Sequence, residues 1–97
     1  MSQQAQHHNE NRRHMKFLVL GAGMMGGAVV FDLARSRSVD RIKVADIDRE
    51  RAEAVVKKMG GSKASAVVAD VRDYDRIVEL MKDCDVAISA VTLYHND

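Results

Sequence analysis

The chain has 97 residues, enough for one small domain with its own core and too few for two. Apolar residues make up 46% of it, while 15 basic and 14 acidic side chains leave a formal net charge of +1, so charge gives no reason to expect a nucleic acid or an anionic membrane as partner. Cys84 is the only cysteine, which excludes an intrachain disulfide and makes a reducing compartment the default.

Residues 1–14, MSQQAQHHNENRRH, are polar and carry no apolar period. They read as a disordered lead, natural or left by cloning, with the fold beginning at Met15. His7, His8 and His14 belong to this tail and are expected to be solvated, so no metal site is assigned to them. Arg12-Arg13 ahead of MKFLVL has the look of a twin-arginine export signal. The apolar stretch, however, runs into Asp32, Leu33, Ala34 and Arg35 rather than a small-residue cleavage site. The uncharged run from Phe17 to Phe31 is also shorter than the roughly 20 residues of a spanning helix. The expected location is the cytoplasm.

Lys16 to Leu20 (KFLVL) is a short apolar run, the mark of a strand buried on both faces. Met25 to about Ser36 reads as a helix with Val29, Val30, Leu33 and Ala34 on one side. Ile42 to Ala45 is a second strand. Asp48 caps a second helix whose stripe Ala52, Val55, Val56, Met59 follows helical spacing, and Gly60-Gly61 ends it. Ala66 to Ala69 is a third strand. Asp73 caps a third helix with Ile77, Leu80 and Met81 facing inward, and Val86 to Val91 is a fourth strand. Strands alternating with helices over short connections imply parallel pairing and right-handed crossovers. The fold class is α/β: a Rossmann-type parallel sheet, half of a doubly wound fold, with strand order 3-2-1-4.

Gly21-Ala22-Gly23-Met24-Met25-Gly26 is a G-x-G-x-x-G pattern that follows a predicted strand and opens a predicted helix. In that setting Gly21 permits the tight turn, Gly23 lets a pyrophosphate approach the backbone, and Gly26 lets the helix pack on the strand. The helix N-terminus supplies N–H groups and a partial positive charge to the phosphates. Asp46, at the end of the second strand, stands where an acid accepts hydrogen bonds from the adenosine ribose. Its charge favours NAD as cofactor, while Arg49 and Arg51 close behind allow the 2′-phosphate of NADP. Asp70 after the third strand, with the Val71 amide, is placed to contact the adenine edge, although an acid that merely caps the loop fits as well. Cys84 reads as a buried small hydrophobe, and His95 has no catalytic partner in view.

The stretches MKFLVLGAGMMGGAVVFDLA, VADIDRERAEAV, ADVRD and DVAISAV together resemble the N-terminal NAD(P)-binding domain of the saccharopine dehydrogenase family, in particular its lysine 6-dehydrogenase-like members. The likeness runs from Met15 to about Asn96. It implies cofactor roles for Gly21, Gly23, Gly26, Asp46 and Asp70, and it places Ala90, Val91 and Thr92 beside the nicotinamide half. With their neighbours Ala22, Met24, Met25, Ile47 and Val71, these residues form the candidate cofactor site. Many relatives carry a proline near Thr92, which this chain lacks.

The resemblance implies hydride transfer to a nicotinamide cofactor by an amino-acid dehydrogenase. Substrate-holding residues of such enzymes come mainly from a second domain, and no catalytic residue is identifiable here. The chain is therefore expected to be an N-terminal fragment that binds cofactor and does not oxidise lysine or saccharopine alone. The alternative is a complete nucleotide-sensing regulatory module, like those of potassium channels. The apolar fourth strand, left at a sheet edge beside a half-covered and bare apolar face, implies a homo-oligomer.

Overall fold

Seven elements alternate through residues 14–91, the span described by the computed structural model. They are β1 (Met15–Leu20), α1 (Met24–Ala34), β2 (Val39–Asp46), α2 (Arg49–Met59), β3 (Ala64–Val68), α3 (Tyr74–Met81) and β4 (Val86–Ser89). The strands pair in parallel in the order β3-β2-β1-β4, the order expected from the sequence. The chain thus has the Rossmann-like α/β architecture. Thr92 and His95, together with His7 and His8, lie outside the described residues.

Strand register sorts the side chains between two cores. Val19, Ile42 and Val44 point to one face, where Val30 of α1 and Ala52 of α2 close over them. Leu18, Leu20 and Ala45 point to the other, where Ile77 and Leu80 of α3 cover them. Leu18, Ile42, Val19, Val30 and Val44 are essentially inaccessible. Burying each contributes about 1.5–3 kcal/mol over leaving it in water, which explains why the short apolar runs become central strands.

Four expectations need correction. Met81 does not face inward: it sits in the last turn of α3, 43% exposed, because Ile77 and Leu80 already fill that helix's contact with the sheet. The fourth strand ends at Ser89 rather than Val91, although the Ala90 N–H still donates to the Leu20 carbonyl at 2.8 Å. The α3 face is half covered, as expected, but what lies beyond α3 is not bare apolar surface. By register that part of the face carries Lys16, Arg41, Lys43 and Ser65, and Lys43 Nζ pairs with Asp83 Oδ2 at 3.2 Å. Polar side chains on the open part of the face remove one of the two motives for self-association. β2 is longer than expected, starting at Val39, because the Met15–Val39 pairing extends the ladder past a register shift.

The carboxyl ends of all four strands meet on one rim. There the ladder continues beyond the strands: the Gly21 N–H donates to the Ala45 carbonyl at 2.8 Å and the Ala69 N–H to the Asp46 carbonyl at 3.1 Å. Among the described residues no helix is long and apolar enough to cross a membrane.

Candidate functional site

A cleft of about 390 Å³ opens on this rim, between the β1–α1 corner, the loops that follow β2 and β3, and the chain leaving β4. Gly21, Ala22 and Gly23 form one wall, Asp46 and Ile47 the next, Asp70 and Val71 the third, and Ala90 and Val91 the fourth. Nine residues expected from the sequence thus converge on one space. Met24, Met25 and Gly26 do not line it. Met24 borders a neighbouring groove of about 260 Å³ between α1 and α2, Met25 is 61% exposed, and Gly26 is buried behind the corner.

The three glycines of the corner stand in different surroundings. Gly21 has φ +104, a conformation that side chains rarely adopt, and a Cβ there would also crowd the Ala90 carbonyl at 3.1 Å. At Gly26 a Cβ would overlap the Gly21 carbonyl oxygen, so this glycine is what allows α1 to meet the end of β1. Gly23 differs: its φ of −79 is ordinary, and a Cβ built on it meets nothing within 4 Å. Neither backbone nor packing within the described chain demands a glycine there. The open space beside it is a cradle that a side chain would fill.

The helix that starts at this cradle is also the one left open at its end. α2 is capped by Asp48, whose Oδ1 accepts from the Arg51 N–H at 3.2 Å, and α3 by Asp73, which accepts from the Arg76 N–H at the same distance. Each has an acid in its first turn, Glu50 and Asp75. α1 begins at Gly23 with no side-chain cap and no acid in its first turn. Its backbone ladder starts with the Gly27 N–H on the Gly23 carbonyl at 2.8 Å, ahead of which the N–H groups of Met24, Met25 and Gly26 lack intrahelical acceptors. Unsatisfied donors at a helix N-terminus, next to a space kept clear of side chains, suit an anion.

The loops after β2 and β3 are built alike. Both strands run into Val-Ala-Asp, and both aspartates close a local turn on the amide two residues on. Asp46 Oδ1 accepts from the Asp48 N–H at 2.8 Å, and Asp70 Oδ1 from the Arg72 N–H at 2.9 Å. The middle residues Ile47 and Val71 are left 61% and 39% exposed at the cleft, an apolar pair suited to a flat ring. The two acids differ in charge environment. Arg72 grips Asp70 through both carboxylate oxygens, with Nη2 to Oδ2 at 2.9 Å and Nε to Oδ1 at 3.1 Å. These bonds hold the Asp70 carboxyl down at about 2. Among the described residues Asp46 has no such cation, and its second oxygen accepts from the Ala22 N–H at 2.8 Å.

Among the described residues lining the cleft, Arg51 is the one cation. It borders both the cleft and the neighbouring groove, and among the described residues its ion-pair contact is with Asp48 at 3.7 Å. Arg49, considered with it from the sequence, turns instead to Glu53 at 3.8 Å and lines neither space. Sequence reasoning missed Ala45 and Ala69, the small residues before each aspartate, which also line the cleft. The repeated Val-Ala-Asp was the available signal. Cys84 is half-buried against the α3 core, and its thiol is raised above the usual range first by burial and then by Asp85 and Asp83.

A family model described as the saccharopine dehydrogenase NADP binding domain matches residues 17–97. The chain is 34% identical over 80 residues to a glutamyl-tRNA reductase of Archaeoglobus fulgidus, covering 82% of this chain and 16% of that one. It superposes with a TM-score of 0.70 and 28% identity on the apo histidine-tagged saccharopine dehydrogenase (L-Glu forming) of Saccharomyces cerevisiae, over 80% of this chain and 17% of the yeast chain. The chain therefore spans about a sixth of either protein's length.

Proposed function

The chain belongs to the saccharopine dehydrogenase NADP-binding domain family, and from that membership we propose that it is the cofactor-holding part of a cytoplasmic amino-acid dehydrogenase of the saccharopine or lysine type. The observation that carries the reading is the clear space at Gly23 beside the uncapped start of α1. The N–H groups that open the helix would hold the pyrophosphate there. Asp46 would hold the adenosine ribose, Ile47 and Val71 would hold the adenine ring, and Ala90 and Val91 would hold the nicotinamide half. Asp70 would accept from the adenine edge and the Val71 amide would donate to it. When bound, the nicotinamide supplies the hydride chemistry. The residues of this chain hold and orient it, and the amino-acid substrate is held by parts of the enzyme outside these 97 residues.

Asp46 taken alone favours NAD, yet the family description names NADP. Arg51 reconciles the two. It borders the cleft on the first turn of α2 with a weak hold on Asp48, free to turn to a 2′-phosphate while Asp46 stays on backbone amides. Both cofactors are accepted on this reading, and Arg51 is the phosphate partner. Arg51→Ala is expected to weaken NADP binding roughly tenfold, the size of one exposed charge-assisted hydrogen bond, and to change NAD affinity by less than about twofold. Paired calorimetric titrations measure this. Equal losses for both cofactors would remove Arg51 from the phosphate site.

The expected homo-oligomer now rests on the outer edge of β4 alone, which has no strand partner among the described residues. Light scattering at high concentration is expected to show association that weakens when Ile88, in the middle of that strand, is replaced by proline. A strict monomer would rule the edge out as an interface.

A further inference from the structure

The carboxylate of Asp46 does more than face the ribose. One oxygen, Oδ2, accepts from the Ala22 N–H at 2.8 Å across 24 residues of sequence, and the other accepts from the Asp48 N–H at 2.8 Å. The same stretch offers two backbone acceptors: the Ala45 carbonyl takes the Gly21 N–H at 2.8 Å, and the Asp46 carbonyl takes the Ala69 N–H at 3.1 Å. Successive amides of the glycine corner are therefore both directed at the end of β2. The first goes to a main-chain carbonyl, the second to a side chain.

We infer that Asp46 is the positioning residue of the glycine corner, its carboxylate fixing the Ala22 amide and with it the orientation of Gly23 and the helix start that receive the pyrophosphate. The inference rests on the dinucleotide reading of the cleft, and it adds a dependence which ribose binding does not contain. Ala22 is 2% exposed, so without the carboxylate its N–H is a nearly buried donor with no acceptor. The peptide ahead of Gly23 then has reason to turn, and Gly23, which nothing within 4 Å of its Cβ position confines, turns with it. A charged acceptor holds an amide more tightly than a neutral one. Asparagine has one side-chain oxygen to offer and cannot serve Ala22 and Asp48 at once.

The distinguishing property is the affinity for ligands without an adenosine ribose. The full 97-residue chain, labelled with ¹⁵N, is titrated with inorganic pyrophosphate, nicotinamide mononucleotide and NADPH, and amide exchange at Ala22 is followed beside that of Val19 and Val44 in the core. In Asp46→Ala, Ala22 exchange is expected to speed up about tenfold or more relative to the core amides, with pyrophosphate and mononucleotide binding weakened by a similar factor. Asp46→Asn falls between the two. Loss of NADPH affinity alone, with pyrophosphate binding retained, would leave Asp46 a ribose acceptor only and overturn the inference. An unprotected Ala22 amide in the parent chain overturns it without any variant. If the parent binds none of the three ligands, the proposed function fails, but the exchange comparison still decides the bracing role by itself.

Discussion

Gly26→Ala is expected to lower the melting temperature of the chain by about 15–25 °C, a loss of roughly 3–5 kcal/mol in a domain of this size. Two effects oppose each other. Alanine in a helix is intrinsically better than glycine by about 1 kcal/mol. The new Cβ, however, would overlap the Gly21 carbonyl oxygen, with the Gly21 carbonyl carbon at 2.9 Å behind it. Those atoms are backbone. No rotamer change makes room, and Gly21 is pinned by its amide on Ala45 and by the crossing of Ala90. The steric term wins, because relief means moving α1 off the end of β1 and opening the core beneath Val30. Circular dichroism melts measure the effect. A melt within a few degrees of the parent would mean that helix and strand do not meet as described.

Gly23→Ala is expected to do the reverse: to leave the fold nearly unchanged and weaken dinucleotide binding at least tenfold. The residue already has a φ that alanine adopts, and its Cβ would meet open space. Losing glycine at the start of the helix costs some tenths of a kcal/mol up to about 1. The stiffer unfolded chain returns about 0.4–1 kcal/mol. The two nearly cancel, so the melt should stay within about 5 °C. The same methyl group stands where the pyrophosphate must approach the backbone, and affinity should fall at least tenfold. Stability and binding thus separate between two glycines three residues apart. A purely structural glycine-rich turn cannot produce that separation.

The elements whose evidence is local were legible in the sequence. KFLVL carries the mark of a strand buried on both faces, and it pairs with β2 on one side and β4 on the other. The helix caps Asp48 and Asp73 and the stop at Gly60 were readable because a cap depends on residues within one turn. Met81 was misplaced because helical spacing continues to the end of a helix whether or not sheet remains beneath it. The polarity of the open part of the α3 face is hidden in the apolar runs, because Arg41 and Lys43 alternate with Ile42 and Val44 and point to the opposite side. Within the site, the G-x-G-x-x-G pattern between strand and helix was enough to assign Gly21 to the turn, Gly26 to helix packing and Gly23 to the ligand, and the described atoms agree: a Cβ is excluded at Gly21 and Gly26 and meets open space at Gly23. Which atoms stand in the way, the Ala90 carbonyl for Gly21 and the Gly21 carbonyl for Gly26, depends on contacts that sequence spacing cannot bring together. The bond from Asp46 to Ala22 was hidden for the same reason, while the grip of Arg72 on Asp70, only two residues apart, was there to be read in ADVRD.

That this rim of the sheet is a dinucleotide site, with its phosphate seat at Gly23, is tested most directly by titrating NADPH into the parent chain and Gly23→Ala side by side, with a thermal melt of each. The expected result is saturable binding by the parent, at least tenfold weaker binding by the variant, and two melts within about 5 °C of each other. Equal affinities in two equally stable proteins would contradict it, because the space beside Gly23 would then hold no part of the ligand.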